Sequence, residues 1–252
     1  MLQAIYTAVT GMKTQQENIA VIGNNMANIN TVSFKSSRTD FADALYSQLK
    51  RSVESGDYQQ RGAGVLFGAS QRILMQGESL GTANPMDFMI DGPGYFTLAG
   101  TDGEPLYTRN GAFRVSVVDG AGFLVTADGY YVLGSDNRPV QVPDGSAEFS
   151  VDEAGNLSQN GVRFASLKIS EFPNPAGLID AGSNKYLASD ASGQATAAGQ
   201  MSVVRQGWLE GSNVDMSAEM VRLIRSQRAF SVLGSAIRTA DEMEQQANSM
   251  MK

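Results

Sequence analysis

The sequence predicts an α+β protein in which N- and C-terminal helices pair as a coiled-coil-like stem and a central antiparallel all-β domain lies between them. Near the start, Ile5, Met12, Ile19 and Met26 recur at heptad spacing, with Leu2 and Val9 in the companion positions. Near the end, Met216, Leu223, Phe230 and Ile237 recur the same way, joined by Met220. The intervening region is rich in Gly and turn residues, and its apolar residues alternate with period two. Residues at heptad spacing form one seam along a helix, and a seam needs a partner. The simplest partner for one terminal helix is the other.

Taken in order, residues 2–28 read as a helix that closes at Asn24, Asn25, Asn28 and Asn30, because Asn competes for backbone hydrogen bonds and favours caps. Residues 40–51 read as a second, short helix, with Phe41, Leu45 and Leu49 at spacing four. The polar, Gly-bearing run 52–64 reads as a linker or hinge. From about 65 to 206 short alternating runs such as 114–118 and 163–172 read as strands. Asx-Gly pairs punctuate them: Asp91-Gly92, Asp102-Gly103, Asn110-Gly111, Asp119-Gly120, Asp128-Gly129, Asp144-Gly145 and Asn160-Gly161. Such pairs accept the positive φ of tight hairpins, so the region is antiparallel. Residues 189–199 hold few bulky side chains and read as an exposed loop.

Helix returns after Trp208, with Asn213 or Asp215 as its N-cap. A second stripe runs along it through Ala229, Leu233, Ala236, Ala240, Met243, Ala247 and Met250. Two stripes imply burial on two sides, which favours packing between subunits. The boundaries expected are therefore 1–64, 65–208 and 209–252.

Composition removes most chemistry. The 252 residues include no Cys and no His. The commonest general base, metal ligand and near-neutral pH switch is missing, and so are thiolate catalysis and disulfides. A net charge of -7 suits nucleic acid poorly. Arg222, Arg225 and Arg228 form a basic row that reads as a solvated face braced by Glu219. No apolar run is long enough to span a membrane, and Lys13, Gln15, Gln16 and Glu17 interrupt any cleavable signal peptide.

Local motifs fare no better. Gly77-Glu78-Ser79-Leu80-Gly81 fits a nucleophile elbow, yet Ser79 has no histidine to take its proton, and the two glycines read as turn residues. Ser47 to Lys50 fits S-x-x-K without its companion motifs. Gly92-Pro93-Gly94 lacks the rest of a dinucleotide fingerprint. No cofactor is expected.

Longer motifs are specific. The stretch 24–35, NNMANINTVSFK, resembles the N-terminal signature of bacterial flagellar rod and hook proteins. In the same order follow Gln76-Gly77, residues 84–87 (NPMD), 90–96 (IDGPGYF), 107–113 (YTRNGAF) and 124–130. The C-terminal part adds 209–215 (LEGSNVD), Glu219-Met220-Val221, 227–230 (QRAF) and 239–243. Ser33 stands where the family usually has Gly, which argues against a positive φ there.

The resemblance implies a subunit of the flagellar basal-body rod, a helical homopolymer that also meets other rod and hook subunits. It implies export through the flagellar type III apparatus without a cleaved signal, and a place in the rod of the distal type or its close proximal relative, the C-terminal motifs resembling the distal type more. Ile5, Met12, Ile19, Met26, Met220, Leu223, Phe230, Leu233, Ile237 and Met243 are the expected assembly interface. The alternative reading is a β-domain binding protein or adhesin with helical dimerisation ends.

Overall fold

The computed structural model describes residues 2–44, 47–51, 58–100, 103–143, 149–199 and 201–250. Asp102 and the pair Asp144-Gly145 lie outside the described residues. The chain divides into two compact units. The first gathers residues 1–28, 36–73 and 214–252, and the second holds 29–35 and 74–213.

The first unit is built on two long helices, α1 (Leu2–Ala27) and α2 (Met216–Met250). Asn28 closes α1 by donating its backbone N–H and its side-chain amide to the Asn24 carbonyl. Asp215 caps α2: its Oδ1 accepts the N–H groups of Ser217 and Ala218 at 2.8 and 3.1 Å. The two helices pack against each other.

Residues 40–44 and 47–51 are not helical, and Leu45 lies outside the described residues. Strand Ser37–Asp43 pairs antiparallel with Val65–Arg72, and Ser47–Arg51 pairs with Tyr58–Arg61. The helical spacing of Phe41, Leu45 and Leu49 is overridden because Phe41 stands opposite Phe67 across the ribbon. Cross-strand pairing of this kind supplies contacts that a short isolated helix cannot make.

The second unit is antiparallel throughout its named strand pairs. Its largest sheet has six strands in the spatial order Ile179–Gly182, Lys185–Leu187, Pro105–Thr108, Tyr95–Ala99, Ile169–Glu171 and Thr196–Ala197. Phe88, Phe96, Leu98, Phe113, Leu124 and Leu157 anchor the buried core. Two hairpins turn on Asx-Gly pairs with both φ values positive, Asp119-Gly120 and Asn160-Gly161. That is the pattern of a two-residue type I′ turn, as their sequences predict.

Candidate functional site

Two arrangements stand out: a polar centre line in the helix pair and a buried charge node in the β unit. The helices run antiparallel, in a register marked at three positions one heptad apart. At the first, a Cβ on Gly11 would stand 3.3 Å from Leu233 Cδ1. At the second, Asn18 Nδ2 donates to Ser226 Oγ at 2.8 Å, and Asn18 Oδ1 accepts from Thr39 Oγ1 at 2.7 Å. At the third, Asn25 Nδ2 donates to Glu219 Oε1 at 3.4 Å and to the Ser37 carbonyl at 2.8 Å, while Asn25 Oδ1 accepts from Ser37 N–H at 2.9 Å. Arg222 also donates to Glu219 Oε1 at 2.7 Å, the bracing expected of the basic row.

This centre line rearranges the expected interface. The buried residues of α2 among those described are Glu219, Ser226 and Ala240. With Leu233 they form the row turned toward α1, where the polar Glu219 and Ser226 meet the amides of α1 and Leu233 lies over the small Gly11. Leu223, Leu233 and Ile237 on α2, and Ile5, Met12, Ile19 and Met26 on α1, are half-buried. Met220, Phe230 and Met243 remain 48%, 38% and 51% exposed. Val221, Ile224 and Val232 are exposed as well, so apolar side chains stand open on several faces of α2. Asn18 and Asn25 were not singled out from the sequence as interface residues, although their heptad spacing inside a helical run is a usable signal.

In the β unit, motif residues far apart in sequence converge on Glu210. Lys35 Nζ forms a buried ion pair with Glu210 Oε1 and donates to the Met75 carbonyl at 2.7 Å. Gly77 N–H donates to the same Glu210 oxygen at 3.0 Å, and Arg109 Nη1 reaches Glu210 Oε2 at 3.3 Å. Arg109 Nη2 also donates to the Gly92 carbonyl at 2.7 Å, and its guanidinium lies 5.3 Å from the centre of the Tyr95 ring. Burial pulls the Lys35 ammonium below its ordinary value, against the opposing pull of Glu210. Burial also pushes the Tyr95 hydroxyl up to about 12.

Ser33 belongs to the same cluster, and its φ is +57°, contrary to the expectation raised by the missing glycine. Its N–H donates to the Glu210 carbonyl at 2.7 Å and its Oγ to the Arg109 carbonyl at 2.8 Å. Those bonds offset the left-handed strain. Gly77 is not a positive-φ turn residue either: a Cβ there would come within 2.2 Å of the Gly211 carbonyl oxygen. Gly81 ends strand Ser79–Gly81, which pairs with Trp208–Glu210, so Ser79 sits within a strand and not on an elbow. No helix among the described residues is long and apolar enough to cross a membrane.

The motifs that meet here recur in known proteins. Residues 5–35 match the family model described as flagella basal body rod protein. Residues 89–159 match the flagellar hook protein FlgE/F/G D1 domain, and 205–250 the C-terminal region of flagellar basal body rod FlgEFG proteins. The flagellar basal-body rod protein FlgG of Borreliella burgdorferi is 35% identical over the whole of both chains. That of Agrobacterium fabrum is 37% identical over 96% of this chain and 97% of its own. The Bacillus subtilis protein is 36% identical over 98% of each. The chain belongs to the family of flagellar basal-body rod proteins.

Proposed function

We propose that this chain is a structural subunit of the flagellar basal-body rod, of the distal type, polymerising helically into the shaft that carries motor torque to the hook. Its terminal helices act as a coiled-coil-like stem, and its neighbours are copies of itself and other rod and hook subunits. It reaches the rod through the flagellar export apparatus without losing a signal peptide. The observation that carries the assembly role is the number of large apolar side chains that α2 leaves exposed on several of its faces. A helix whose closest intramolecular line is polar and small, while Met220, Phe230 and Met243 stay exposed, is completed by another molecule. Full-length similarity to FlgG proteins supports the rod as the place of assembly.

Replacing Phe230 with Asp tests this. In the isolated chain the carboxylate meets water, so secondary structure by circular dichroism is expected to be unchanged. In the polymer it meets an apolar surface with no counter-charge, which is strongly unfavourable. Cells carrying the variant are expected to export the subunit, build truncated rods and lose motility. Normal motility would remove Phe230 and the face around it from the assembly surface.

A further inference from the structure

The charge node also bears on the helices through the covalent chain. Segment 29–35 follows directly on α1, which ends at Ala27, yet it is held in the β unit. Segment 209–213 leads into α2, which begins at Met216. Within the β unit the two segments are laced together: Ser33 N–H donates to the Glu210 carbonyl, Asn213 N–H to the Phe34 carbonyl, and Lys35 pairs with Glu210. Lys35 and Glu210 are almost fully buried, so these contacts are not a surface latch that water readily opens.

The helix pair needs such a lock. Its centre line repeats at heptad intervals, and a slip of one heptad would set Asn18 opposite the polar Glu219 in one direction and opposite Leu233 in the other, in place of Ser226. Polar groups at single seam positions specify register, but two amides alone discriminate weakly.

We propose that Lys35, Glu210, Arg109 and Ser33 are positioning residues that set the α1–α2 register by fixing, in the β unit, the points from which both helices depart. Only a few residues separate each pinned segment from its helix, so a heptad slip of about 10 Å, at 1.5 Å per residue, exceeds what the connecting residues can absorb. The inference rests on these contacts and not on the rod role.

The chain has no cysteine, so introduced pairs report cleanly. In the full-length chain, Asn18→Cys with Ser226→Cys tests the observed register, and Asn18→Cys with Leu233→Cys tests the slipped one. Oxidative cross-linking is expected to join the first pair and not the second. Adding Lys35→Met is expected to reduce the first cross-link to the level of the second pair, with Trp208 fluorescence unchanged. An undiminished first cross-link in that background overturns the proposal. If the Trp208 signal shows that Lys35→Met unfolds the β unit, a four-residue Gly-Ser-Gly-Ser insertion after Asn28 decides, because it leaves the node intact and lengthens the tether by more than the slip, at up to about 3.5 Å per residue. Loss of the 18–226 cross-link then supports the lock, and its persistence refutes it.

Discussion

The two units solve burial in opposite ways. In the β unit, phenylalanines and leucines from many strands close a core in which Phe88, Phe96, Leu98, Leu124 and Leu157 are wholly sealed from water. In the helix unit, the residues that α2 buries are a glutamate, a serine and an alanine, while Met220, Val221, Ile224, Phe230, Val232 and Met243 stay exposed. The orphaned polar atoms follow the same division. Among the described residues, the buried side-chain oxygens without a hydrogen-bond partner are Gln15 Oε1 and Glu219 Oε2, one on each terminal helix. The β unit closes its own core, whereas α2 leaves large apolar side chains open, the kind of surface that is stabilised by covering.

The largest expected effect separates these behaviours with one residue type. Phe96→Ala removes a fully buried ring that meets Phe113 edge-on, its centroid 5.1 Å away, and should cost about 3–5 kcal/mol in unfolding free energy. Phe230→Ala should change the stability of the isolated chain by less than about 1 kcal/mol, since its ring is already partly in water. Urea denaturation followed by Trp208 fluorescence measures both. Equal losses would erase the distinction between a closed core and an open surface.

This contrast was only half legible in the sequence. Local chemistry was readable: Asn160-Gly161 and Asp119-Gly120 announce hairpins because few other dipeptides accept two successive positive φ values, and Asp215 announces a helix start. The ribbon of 37–43 with 65–72 was not, because the spacing of Phe41, Leu45 and Leu49 fits a helix face, while the partner of Phe41 across the ribbon, Phe67, lies far along the chain. The charge node was invisible for another reason. Lys35 and Glu210 lie 175 positions apart, and neither carries a local pattern that distinguishes it from a solvated surface residue. Family motifs mark both residues without saying that they touch. Gly77 was legible as constrained, yet the constraint is the nearby Gly211 carbonyl and not its own φ.

The next expected effect appears only in alkali and tests how firmly the β unit excludes water around the node. Tyr95 titrates near 12 in the fold because burial disfavours its phenolate, against an ordinary value of 10.0. Below pH 10 both folded and unfolded chains hold the proton, and the stabilisation is fully present. Between pH 10 and about 12 the unfolded chain releases it first, so stability falls as pH rises, by about 2–3 kcal/mol in all. Tyr95→Phe should remove that component of the alkaline slope and leave the slope below pH 9 untouched. Denaturation midpoints across the alkaline range, compared between the two chains, measure the difference; parallel curves would show that Tyr95 is hydrated in the fold.

The smallest effect concerns Ser33, where strain and hydrogen bonding nearly cancel. A non-glycine residue at φ +57° costs about 1 kcal/mol relative to glycine. The Oγ bond to the Arg109 carbonyl returns about the same amount in a site that is 1% exposed. Ser33→Gly relieves the strain, loses that bond and gives the unfolded chain more freedom, so its stability should stay within about 1 kcal/mol of the parent. Ser33→Ala keeps the strain and withdraws the donor from a buried carbonyl, and should cost about 1–3 kcal/mol. Alanine must therefore be the worse substitution, although it is the closer in size and the weaker perturbation on helix or strand scales. Thermal unfolding of the two variants gives the order directly. If Ser33→Ala proves as stable as Ser33→Gly, the hydroxyl does not hold segment 29–35 against Arg109, and the node is held by its ion pairs alone.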